Sequence, residues 1–126
     1  MTTDTLRDLH GVPVLDCADD GPALRDDADA LDVIGDALGR GAELVVLPAG
    51  RLDDAFFQLR SGVAGEIVQK FVNYRLRLAV VGDISAHLAA SSALRDFVTE
   101  SNRGRQLWFL PSRADLEERL GPAGPR

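Results

Sequence analysis

Leu44-Val45-Val46-Leu47-Pro48 and Leu78-Ala79-Val80-Val81-Gly82 decide the fold of this chain. Each is an unbroken run of four apolar residues, closed by a residue that ends regular structure. Such a run is too short for a helix and lacks the alternation of a half-exposed strand, so it predicts a strand covered on both faces. Between the two runs, Phe56, Leu59, Val63, Ile67, Phe71 and Tyr74 fall on one helical stripe, interrupted at Arg60-Ser61-Gly62. This predicts a short helical turn and then a long helix starting near Ser61. Two buried strands joined by a helix are parallel neighbours linked by a right-handed crossover.

Toward the N-terminus, Val12 to Cys17 reads as a strand, with Thr5 to Leu9 pairing to it across His10-Gly11. After the Gly21-Pro22 interruption, Ala28, Leu31, Ile34 and Leu38 recur at helical spacing from Asp26, and Gly39 and Gly41 supply a stop. Toward the C-terminus, Leu88, Ser91, Leu94 and Val98 share a face of a helix from Ser85 to Asn102, capped by Gly104. Gln106 to Leu110 reads as the last strand. Ser112-Arg113-Ala114-Asp115 has the form of a helix start, opening a final helix through Leu120, and residues 121–126 are expected to fray. The order β-β-α-β-α-β-α-β-α defines an α/β protein: one domain over residues 1–126, with a mainly parallel five-stranded sheet and about four helices.

A chain of 126 residues, 45% apolar and 27% charged, is long enough to bury one core of globular composition. No apolar run approaches the roughly 20 residues that cross a bilayer, and the start Met1-Thr2-Thr3-Asp4-Thr5 lacks the form of a signal peptide, so a cytoplasmic protein without membrane contact is expected. Cys17 is the only cysteine, which excludes an internal disulfide, and with His10 and His87 as the only histidines no thiolate or histidine-rich metal site is expected. Charge is uneven. Residues 1–54 carry 13 acids and 4 bases (−9), and residues 55–126 carry 7 acids and 10 bases (+3), summing to −6. The arginines are dispersed with little aromatic interleaving, so nucleic acid is not an expected partner.

The element order and the Ser61-Gly62 start of the second helix resemble the STAS fold of sulphate transporter and anti-sigma factor antagonist domains. The segment RLDDAFFQLRSGVAGEIVQKFVNYRLRLAVVGDISAHLAASSALRDFVTESNRG, residues 51–104, resembles the core of a bacterial family catalogued as domain of unknown function 4180. The STAS resemblance implies a protein that docks onto a partner through the surface around its second helix, switched by phosphorylation of a serine at that helix's N-terminus. The matching position is Ser61. This chain departs from the STAS pattern by placing Leu59 and Arg60 where an acid and a second small hydroxyl residue usually precede the serine.

The residues offer two readings at each candidate position. Ser61 is a helix cap or a phosphorylation site, since a phosphate there would meet free N–H groups and the positive end of the helix dipole. Arg60 is a phosphate partner or a solvated side chain. Gly62 and Gly65, expensive inside a helix, answer to close packing on the sheet or to a smooth surface for a partner backbone. Asp83 and Ser85 form a tight turn and cap, or an anion site at the strand ends where α/β sheets hold ligands. No dinucleotide fingerprint or P-loop accompanies Gly82, and no cofactor is expected. A hydrolytic set of Ser61, Asp83, Ser85 and His87 lacks a nucleophile elbow, and His87 is read as solvated or capping. Asp16 and Cys17 could reach the same edge, where a helix terminus would lower the thiol pKa. These residues favour a regulatory protein-binding module over an enzyme. The alternative is a small-ligand or anion-binding domain, or a hydrolase, using the Gly82–Ser85 turn, and a homo-oligomer through the Trp108-Phe109 strand or an exposed helix stripe is a third.

Overall fold

Alternation along the strands sets the layers. The computed structural model describes residues 4–121; of the tail expected to fray at 121–126, residues 122–126 lie outside them. β1 (Thr5–Leu9) pairs antiparallel with β2 (Val12–Asp16) across a two-residue turn. Then follow α1 (Asp27–Gly39), β3 (Leu44–Pro48), α2 (Asp54–Phe57), α3 (Val63–Asn73), β4 (Arg77–Val81), α4 (Ser85–Ala90), α5 (Ser92–Arg103), β5 (Leu107–Leu110) and α6 (Arg113–Leu120). Single 3-10 turns cover Ala49–Arg51 and Leu59–Ser61.

The sheet order is β1-β2-β3-β4-β5, with β2 to β5 all parallel. The two apolar runs are direct neighbours, Leu44 beside Arg77 through Pro48 beside Val81. Because every crossover steps to the next strand in the same direction, right-handed connections put the intervening helices on one face. Leu15, Val45, Leu47, Leu78, Val80, Leu107 and Phe109 point into that face and join Ile34 of α1, Phe56 of α2, Ile67 and Phe71 of α3 and Leu94 of α5 in the larger core. The alternate residues Val14, Leu44, Val46, Ala79, Val81 and Trp108 form a smaller core on the other face, where Leu116 of α6 is fully buried.

α6 is held across that second face at both ends. Arg113 near its start donates to Asp16 Oδ1 at 2.8 Å and to the Cys17 carbonyl at 3.0 Å. Near its end the Arg119 guanidinium lies 4.4 Å from the Trp108 ring centroid.

Local chemistry explains three departures from the expected elements. The helix expected over 85–102 is two helices, and the short helical turn expected before Ser61 forms α2, so the count is six where about four were expected. Ser91 is extended, with its hydroxyl accepting the Leu94 N–H at 3.1 Å to start α5, while Arg95 donates to the Leu88 carbonyl at 2.7 Å to close α4. The second long helix begins at Val63, because Gly62 at φ +81° turns the chain in the left-handed region. On α1 the buried residues are Ala30, Val33, Ile34 and Ala37, whereas Leu31 and Leu38 are 36% and 45% exposed. Both stripes have helical spacing and share Ile34; the small side chains of Ala30 and Ala37 face the core.

Candidate functional site

The carboxyl ends of β3 and β4 lie level, so the segments that leave them start along one rim of the sheet. At the end of β4, Gly82 has φ +136°, and a Cβ there would lie 3.1 Å from the Ala49 side chain. The two strand exits therefore touch, and the turn requires glycine. At the end of β3, Arg51 is only 4% exposed; it donates to the Pro22 carbonyl at 3.0 Å and the Ala18 carbonyl at 3.1 Å and pairs with Asp4 at 3.5 Å. These bonds fix the rim to the loop that follows β2.

An open groove of about 880 Å³ runs along this rim, between residues 57–61 on one wall and the 86–93 segment on the other. Arg60 and Ser61 line it, both exposed. The Ser61 hydroxyl donates to the Ala55 carbonyl at 2.6 Å and accepts the Val63 N–H at 3.1 Å, so it bridges α2 to the start of α3. Gly62 and Gly65 continue the exposed surface beyond the groove. Added Cβ atoms at either would meet nothing within 4 Å, so close packing on the sheet does not account for Gly65.

Asp83 and Ser85 lie across α4 from Ser61. They line a separate pocket of about 380 Å³ with Ile84, Leu88, Val98 and Phe109. The Asp83 carboxylate accepts the Ser85 N–H at 2.9 Å. Hydrogen bonds from the Ser85 hydroxyl and backbone hold its pKa below the ordinary carboxylate range. An anion at this turn would meet a carboxylate that stays charged. The rim thus groups Arg60 with Ser61 and Asp83 with Ser85, with α4 between the pairs.

His87 faces the first groove, where its ring stacks on Phe57 with centroids 4.2 Å apart and planes at 12°. Half-buried and in the last turn of α4, it lines the groove through this ring contact. Cys17 is fully buried, and its thiol is pushed up from 9.0 to about 12, chiefly by burial and then by Asp4. A thiol protonated at neutral pH is not a nucleophile, which removes the lowered pKa expected at this edge. Asp16 is committed to Arg7 at 2.9 Å and Arg113 at 2.8 Å. Among the described residues no group of three or more His, Cys, Asp or Glu side chains comes together to hold a metal, and no helix is long and apolar enough to cross a membrane.

Trp108 and Phe109, read as a self-association strand, are each 5% exposed and point into opposite cores. The Asn102 amide occupies the backbone of this edge strand, accepting the Phe109 N–H at 2.8 Å and donating to its carbonyl at 3.1 Å. The Phe57–His87 stack and the Asn102 clamp join residues 30 and 7 positions apart and carry no spacing signal.

No curated protein and no solved structure matches this chain. A family model does match over residues 9–120, which spans β2 through α6 and both walls of the groove, and the chain belongs to the family described as Domain of unknown function (DUF4180).

Proposed function

We propose that this chain is a STAS-like, non-enzymatic regulatory module of the cytoplasm. It docks onto a protein partner through the groove beside Ser61 and the exposed first turn of α3. The observation that carries this reading is the groove itself: an open channel along the carboxyl rim, with Ser61 and Arg60 accessible and small residues Ala86, Ala90 and Ala93 on the facing wall. Small side chains let a partner backbone approach closely. Gly62 and Gly65 extend that smooth surface. The Ser61 hydroxyl is spent on structural bonds at both its donor and acceptor sides, and the His87 ring on Phe57, which argues against a hydrolytic set.

Ser61 is the point of control in this reading. A phosphate there would remove the bond to the Ala55 carbonyl and set a dianion beside the N-terminus of the 11-residue α3, next to Arg60. The bridge between α2 and α3 would be remade, changing the wall the partner meets.

A photo-crosslinking residue placed at Arg60, and as control at Glu117 on α6, identifies the partner in native extract. Purified partner is then titrated with wild type, Ala90→Trp and Ser61→Asp. The expected outcome is capture from position 60 only, loss of binding with Ala90→Trp and altered affinity with Ser61→Asp. Wild-type affinity in both variants would overturn the docking reading.

The apolar lining of the pocket beside Gly82–Ser85 favours a second reading, a small apolar ligand held there in place of an anion. A specific ligand from a thermal-shift library would raise the melting temperature by mass action, and Leu88→Trp would abolish the shift.

A further inference from the structure

The opposite rim of the sheet, at the amino ends of the parallel strands, gathers what the sequence scatters. Arg77 opens β4, Arg103 ends α5, Arg105 lies on the loop into β5, and Arg119 is in the last turn of α6. All four line one pocket of about 340 Å³ around Trp108, and no carboxylate lines it among the described residues. In a chain with net charge −6 this is a local reversal of sign.

The pocket is built. Arg77 and Arg119 lie over the Trp108 ring at 4.7 and 4.4 Å from its centroid, and the indole N–H donates to the Gly104 carbonyl at 2.7 Å. Arg77 Nε donates to the Arg105 carbonyl at 2.7 Å, and Arg119 donates to the Asn102 carbonyl. These bonds set the guanidinium planes without neutralising them. One terminal nitrogen of Arg77, Nη2, is buried with no hydrogen-bond partner, an expensive state for a charged donor. The acids near the cluster stand outside the lining: Glu100 pairs with Arg103 at 3.4 Å as an exposed pair, and Glu43 acts on Arg77 from the strand end. Burial and the neighbouring Arg105 and Arg119 charges oppose the charge on Arg77. An anion in the pocket would relieve that repulsion.

We infer that this pocket binds the phosphate group of a small molecule. Guanidinium forks match phosphate oxygens bidentately, and the volume exceeds that of a phosphate ion, leaving room for the body of an ester. Because Trp108 is 5% exposed and carries guanidinium groups, its ring is not offered to a base; recognition is of the phosphate end.

Trp108 is the only tryptophan, so its emission reports the site directly. The intact protein is titrated with inorganic phosphate and with ribose 5-phosphate, against chloride at matched ionic strength. The expected result is a saturable emission change with at least one of the two phosphates. A response to both assigns the site to the phosphate group alone, and a response to the ester alone assigns it to phosphorylated metabolites. Arg103→Gln and Arg105→Gln alter exposed side chains, and urea midpoints near wild type would show that they fold. Each is expected to weaken binding roughly tenfold, the loss of one charge-assisted contact. No saturable response to either phosphate, equal affinity in both folded variants, or a response only to an RNA oligonucleotide would overturn the inference.

Discussion

The two faces of the sheet are covered by different means. On one, α1, α3 and α5 are the crossover connections themselves, and their apolar side chains interlock with Leu15, Val45, Leu47, Val80 and Phe109 in a continuous core. On the other, the 8-residue α6 is the helix of the core, centred on Leu116 and tethered by Arg113 and Arg119. The first face follows from chain topology, since consecutive right-handed crossovers have nowhere else to go. The second depends on one helix after the last strand, held by a few arginine contacts. Where a face rests on so few attachments, polar groups gather at its margins: Arg7, Asp16 and Arg113 at one end and the arginines around Trp108 at the other.

Truncating a central side chain on each face tests this difference. Phe71→Ala on the helix-rich face is expected to cost about 3–5 kcal/mol and to lower the urea midpoint of the whole chain. Leu116→Ala should cost about 2–4 kcal/mol, and hydrogen exchange should show amides of α6 and Trp108 losing protection before those of α1 and α3. Uniform loss of protection with Leu116→Ala would mean that the two faces form one cooperative unit.

A smaller effect comes from Cys17, on the helix-rich side. Its folded pKa of about 12 lies above the ordinary 9.0, so the fold favours the protonated thiol. That contribution is fully present below pH 9.0 and is lost as pH rises through about 12. Urea midpoints of wild type should therefore fall more steeply between those pH values than those of Cys17→Ala. Equal slopes would show that the thiol is not shielded.

The smallest expected change lies at the surface of α3. Gly65→Ala adds a methyl group into open space in a helix and should raise stability by about 0.5–1 kcal/mol. In the docking reading the same substitution weakens partner binding. A glycine that costs stability and can be replaced without loss of binding would shift attention from α3 to the groove walls.

The legibility of this molecule followed the range of the interactions. The buried strands at 44–47 and 78–81, the hairpin across His10-Gly11 and the helix starts at Asp26 and Ser112 were readable because their causes lie within a few residues. Ser61 and Gly62 were readable as a helix start for the same reason, though the left-handed turn at Gly62 moved the first helical residue to Val63. On α1 the periodicity admitted two stripes, and only packing selected Ala30, Val33, Ile34 and Ala37 over the one containing Leu31 and Leu38.

The sequence by itself therefore determined the order of elements, the α/β class, the parallel sheet and the rim on which Ser61 and Asp83 both lie. Tertiary structure alone decided that α4 divides those two residues into separate grooves, that His87 lies flat on Phe57, and that four dispersed arginines surround one tryptophan. Backbone propensity and apolar periodicity act over a few residues and leave a mark in the sequence. Charge clusters and ring contacts depend on where distant segments come to rest, and spacing along the chain does not record that.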